Sequence, residues 1–244
     1  MSNSYNQFDN DFNAPTDLFA AAASEAARAG FITKTYLYLL GAIAALVGIE
    51  CVLFSIPGAA EKITATMLAG QYSWLVVLGL FMFVSWIANS WALNATSSAL
   101  QHAGLGIYVV AQALILAPLL CVAQSYGGTG TIMSAALATS ALFALLTITV
   151  FVTRKDFSFL RSFLIFGGFA ALGFIVFAIA FGITVGPLFM YLMIAFACCY
   201  ILYDTSNVLH HYRIGQHCAA ALALFASVVL LFWYILQLFM SNRD

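Results

Sequence analysis

Apolar residues in this chain neither alternate nor recur on one face of a helix; they run on unbroken. Seven such stretches stand at about 35–56, 72–92, 105–126, 131–153, 162–183, 188–208 and 218–240. Each is close to the roughly 20 residues that cross a hydrocarbon layer about 30 Å thick. Within a bilayer the backbone has no water to bond to, so continuous apolar runs of this length predict helices. The period-two pattern of an outer-membrane barrel is absent. Turn residues divide the stretches: Pro57-Gly58 after the first, Gly127-Gly128-Thr129-Gly130 between the third and fourth, Gly186-Pro187 between the fifth and sixth. Ahead of them lies a polar segment with Asp9, Asp11, Asp17, Glu25 and Arg28, in which Pro15-Thr16-Asp17 can start a short amphipathic helix through the Ala-rich run 20–29. The pattern predicts an all-α chain: a polar cytoplasmic tail over 1–31, then a polytopic membrane bundle of seven transmembrane helices over 32–244. The start of the chain has no basic region followed by an apolar core, so no cleavable signal peptide is expected.

Composition strengthens this reading. The 244 residues include 8 basic and 9 acidic side chains, 7% charged against 64% hydrophobic, with mean hydropathy +1.01. Soluble domains carry roughly 25% charged residues, so both a soluble fold and a disordered chain are excluded. A net charge of −1 offers no basic face for nucleic acid. The five cysteines, Cys51, Cys121, Cys198, Cys199 and Cys218, form no C-x-x-C pair and read as packing residues. His210, His211 and His217 do not make a recognised metal-ligand spacing, so neither metal nor cofactor is expected. No nucleophile elbow, no H-E-x-x-H and no mid-span lysine for a Schiff base is present, and an enzyme is not expected.

The charges also orient the bundle. With the N-terminus inside, the inner connections hold Arg28, Lys34, Arg154, Lys155, Arg161 and Arg213, and the outer ones hold only Lys62 and Arg243. Six against two places the N-terminus in the cytoplasm. Seven full crossings then put the C-terminus outside; a re-entrant last segment keeps both termini inside. All but two charges lie in the tail, in connections or at span edges. The exceptions are Glu50 and Asp204. A charge at the bilayer centre costs roughly 2.5–3.5 kcal/mol on insertion scales, so each is a candidate functional residue, the alternative being a protonated acid held by a hydrogen bond. Glu50 lies about 22 Å in from the inner end of its span and Asp204 about 6 Å, at 1.5 Å per residue, so direct pairing is not expected. His211 shares a helical face with Asp204. With His210 and His217 it is expected to form a pH-responsive cluster at the inner mouth, and Arg213 is a candidate cationic contact for the gate.

Several strings then become recognisable. Thr153-Arg154-Lys155-Asp156-Phe157-Ser158-Phe159-Leu160 joins the fourth and fifth stretches, and Ile201-Leu202-Tyr203-Asp204-Thr205 lies near the end of the sixth. Ala219-Ala220-Ala221-Leu222-Ala223-Leu224-Phe225 and Leu231-Phe232-Trp233-Tyr234-Ile235-Leu236 lie in the last, with Phe31-Ile32-Thr33-Lys34-Thr35-Tyr36 and Ala117-Pro118-Leu119-Leu120 upstream. From about residue 28 to 240 the chain resembles the Bax inhibitor-1 family, in its bacterial YccA-like branch. The resemblance implies a seven-helix bundle with the last helix in the centre and residence in the bacterial inner membrane. It implies activities seen in relatives: a pH-sensitive calcium leak, protection from stress-induced death, and inhibition of a membrane-bound ATP-dependent protease. In the calcium-leak members two aspartates on the last two helices form the sensing pair. The first corresponds to Asp204; where the second is expected, this chain has Ser227, flanked by Ala226 and Val228. A serine can hydrogen-bond Asp204 but cannot share a proton with it as a second carboxylate does, and it weakens a calcium site.

Overall fold

The computed structural model describes residues 19–70, 72–94 and 97–241. Within them a 3-10 turn, Ala20–Ala22, precedes seven α-helices: α1 Glu25–Ser55, α2 Ala59–Met67, α3 Ser73–Ala92, α4 Ser98–Thr153, α5 Leu160–Phe181, α6 Pro187–His210 and α7 His217–Ser241. All but α2 are long and apolar enough to cross a membrane. The helix starts follow local chemistry. Ser24 caps α1 by accepting from the Ala27 N–H at 3.3 Å, with Glu25 in the positive first turn. Pro187 opens α6 where its missing N–H is harmless.

α4 is 56 residues long, about 84 Å if straight, and it is not straight. Gly128 has φ 64° and ψ −169°, a region open essentially to glycine alone. Near the start of α4, His102 contacts Tyr38 with ring centroids 5.3 Å apart; near its end, Phe151 contacts Tyr36 at 5.9 Å. A straight helix would hold His102 and Phe151 about 74 Å apart, yet both meet neighbouring positions of α1. The chain therefore turns back at Gly128, and the two limbs are the third and fourth apolar stretches.

α7 is the centre. It packs against α1, α3, α4 and α6, and two-thirds of its most apolar stretch is buried, against about a tenth for α3 and α5. Cys218, Ala220, Ala221, Leu224, Phe225, Leu231 and Leu236 are sealed from solvent. An unbroken helix of 25 residues leaves no turn for the re-entrant alternative. Close approach elsewhere depends on Gly104, where a Cβ would stand 2.5 Å from the Ala88 carbonyl oxygen of α3.

Two expectations change. α1 begins at Glu25, ten residues ahead of the apolar run, because Ser24 supplies a cap; the helix expected over 20–29 is a 3-10 turn followed by the first turns of α1. Pro15-Thr16-Asp17 and Arg243 lie outside the described residues. The connection after Pro57 holds the short helix α2, which the hydropathy pattern did not distinguish.

Candidate functional site

The C-terminal part of α6 and the first half of α7 build a polar site inside an apolar bundle. Asp204, Thr205 and Ser206 are all buried, since α6 presents this turn to the core. Across from it α7 places the buried Ser227, whose hydroxyl donates to Asp204 Oδ2. The position where the family resemblance leads one to expect a carboxylate thus carries the donor that satisfies Asp204. Tyr108 of α4, packed on Phe225 at 6.0 Å, lies within electrostatic reach of the carboxylate, as do Tyr200 and Tyr212.

Beside this pair three hydroxyls converge from three helices: Tyr36 of α1, Thr147 of α4 and Thr205 of α6. All three oxygens are sealed from solvent, and the Tyr36 hydroxyl lies within interaction reach of both threonine hydroxyls. Ser206 is used differently. Its hydroxyl accepts from the Phe157 N–H at 2.9 Å and donates to the Lys155 carbonyl at 3.4 Å, so it docks the α4–α5 loop onto α6.

The expected histidine cluster does not form around Asp204. A position seven residues further along a helix shares its face but lies about 10 Å up the axis. At that distance His211 meets the loop acid Asp156, Nε2 to Oδ2 3.5 Å. His210 bonds the Ser206 carbonyl through Nδ1 at 3.0 Å. His217 packs on Tyr38, ring centroids 4.8 Å apart. Desolvation is the largest single influence and pushes the Asp156 carboxyl up, but together the Ser158 N–H and hydroxyl and the two histidines outweigh it and hold this acid below its ordinary range. Arg213 lies over the Phe19 ring, 5.5 Å from its centroid, beside the Ala20 N–H···Tyr212 carbonyl bond of 2.9 Å. Arg28 donates to the carbonyls of Ala20 and Ala21 at 2.8 and 2.7 Å. The segment ahead of α1 therefore straps the α6–α7 loop.

Glu50 is buried on α1, and neither carboxylate oxygen has a partner among the described residues. It lies 14 residues beyond Tyr36, about 21 Å along the helix, so it belongs to a different level of the bundle from Asp204. The hydroxyl trio and the Asp156–His211 contact escaped sequence reasoning. Asp156 stands in a quoted motif, but nothing in its spacing announced His211 as its partner.

The family described as inhibitor of apoptosis-promoting Bax1 matches residues 28–244. An uncharacterised protein of Pseudomonas aeruginosa is 30% identical over 164 residues, covering 66% of this chain and 69% of that protein. The match begins in the first turn of α1 and takes in every spanning helix of the bundle, including the α6–α7 pair that holds Asp204. The chain is a multi-pass helical membrane protein and belongs to the Bax inhibitor-1 family.

Proposed function

We propose that this protein is a non-enzymatic regulator that acts through another membrane protein, with a membrane-bound ATP-dependent protease as the partner class. It resides in a bacterial inner membrane with its N-terminus in the cytoplasm. One observation carries the reading: Asp204 faces the hydroxyl of Ser227 rather than a second carboxylate. A lone carboxylate satisfied by a hydroxyl holds α6 against α7, whereas a calcium path is better served by several hard acidic ligands. The orientation is supported by the basic residues Arg28, Arg154, Lys155, Arg161 and Arg213, which flank the α4–α5 and α6–α7 loops that meet at one end.

Gentle solubilisation of native membranes followed by affinity purification tests this directly. The expected result is a stoichiometric membrane protease. Recovery of the chain alone, at native expression and in mild detergent, counts against the regulator reading. A second reading, a pH-sensitive cation leak gated at Asp204, draws on the buried hydroxyls of Tyr36, Thr147 and Thr205 that gather beside that residue. It requires calcium flux in proteoliposomes between pH 6 and 8 that Asp204→Asn changes. Absence of flux removes it.

A further inference from the structure

We propose that His102, His217 and Cys218 form a binding site for zinc, or a cation of like softness, joining the starts of α4 and α7. Their ligand atoms all lie within 4.8 Å of one another. Tetrahedral zinc holds nitrogen at about 2.0–2.1 Å and sulfur at about 2.3 Å, which places ligand atoms roughly 3.3–3.7 Å apart. Side-chain adjustments of about an ångström would close the set.

A second, independent feature favours a metal over a chance cluster. His102 Nδ1 lies 2.6 Å from the Ser98 carbonyl oxygen, which can only accept, so the ring proton sits on Nδ1. This leaves the Nε2 lone pair to accept from the Tyr38 hydroxyl at 2.6 Å, a contact that a bound metal would replace. A ring with one N–H held by a backbone carbonyl and the other nitrogen left as an acceptor is the arrangement that metal-binding histidines adopt. Tyr38 also packs on the His217 ring at 4.8 Å, so it stands over both imidazoles from α1.

The donor chemistry selects the ion. Two imidazoles and a thiol suit zinc and disfavour calcium and magnesium, which take oxygen ligands. Access is graded: His102 is exposed, His217 half-buried and Cys218 sealed. An ion entering past His102 would find the thiol at the inner end, releasing its proton on binding. A fourth position stays open to water or to the Tyr38 oxygen. Bound metal would tie α4 to the central helix, independently of the role of Asp204. Only His217 among the three histidines of the α6–α7 region takes part. No sequence spacing announces the site, because His102 lies 115 positions before His217.

Cobalt(II) is the probe, since a thiolate bound to it gives a charge-transfer band that imidazole alone does not. Titrated into the full-length protein in detergent, it should bind at one equivalent with that band, and zinc should displace it. Cys218→Ser should abolish the band. His102→Ala and His217→Ala should each weaken binding at least tenfold, while His210→Ala and His211→Ala leave it unchanged. Zinc should raise the unfolding midpoint of the parent and not of the three ligand variants. If Cys218→Ser fails to fold, His102→Ala, at an exposed position, decides the matter by its affinity. A band that survives Cys218→Ser, or cobalt affinity that His102→Ala does not alter, overturns the proposal.

Discussion

Asp204 and Glu50 are equally buried, each 7% exposed, and they are satisfied in opposite ways. Asp204 receives a hydrogen bond from Ser227 on the central helix, with tyrosines around it. Glu50 has no partner for either oxygen among the described residues. Burial alone therefore does not say what an intramembrane acid does. A paired acid fastens two helices, because removing its partner strands a polar group in the core. An unpaired acid is a standing expense, retained only if another state or another molecule uses it.

The largest test of this contrast is Asp204→Ala, which removes the carboxylate, strands the Ser227 hydroxyl and leaves a small void. Unfolding in detergent should become easier by about 2–4 kcal/mol. Ser227→Ala should cost about 1–3 kcal/mol by leaving Asp204 without its donor. If it costs nothing, the hydroxyl is not what separates the two acids. Glu50→Met should move the other way, stabilising by about 1–2 kcal/mol, because a similar volume is kept and an unsatisfied group is lost. A large loss there would reveal a partner for Glu50 and erase the comparison.

The smallest effect belongs to Asp156, an exposed loop acid that is paired where Glu50 is not. Its folded-state pKa is depressed, so its contribution is present above the unfolded value near 3.8 and fades as pH falls through the lower folded value. Solvent screening limits such a pair to about 0.2–1 kcal/mol. Asp156→Asn should lower stability slightly at neutral pH and reduce the loss seen on acidification below pH 4. Unchanged acid-limb melting curves would show that the His211 contact contributes nothing.

The same contrast marks how far sequence reasoning reached. Glu50 and Asp204 stood out because a charge inside an apolar run is visible in one dimension, and their separation in depth followed from helical rise alone. His211 was assigned to the wrong acid: the shared helical face was right, but seven residues of rise carried the ring past Asp204 to the α4–α5 loop. Cys218 reads as packing by composition, and it is fully buried. Yet it also stands beside two imidazoles, one of them from a helix that begins more than a hundred residues earlier. Tyr36, Thr147 and Thr205 are ordinary residues in their own segments and become unusual only when three helices bring their hydroxyls together.

The membrane class, the helical state and the approximate limits of the apolar segments were determined by the sequence itself. Transfer into lipid depends on composition summed along one segment, and backbone satisfaction then permits only the helix. Tertiary structure decided which polar atoms meet: Ser227 with Asp204, Asp156 with His211, His102 with His217 and Cys218, and, among the described residues, nothing with Glu50. Those contacts depend on the rotation and depth of each helix against α7, set by side-chain packing among residues distant in the chain, which no single segment contains.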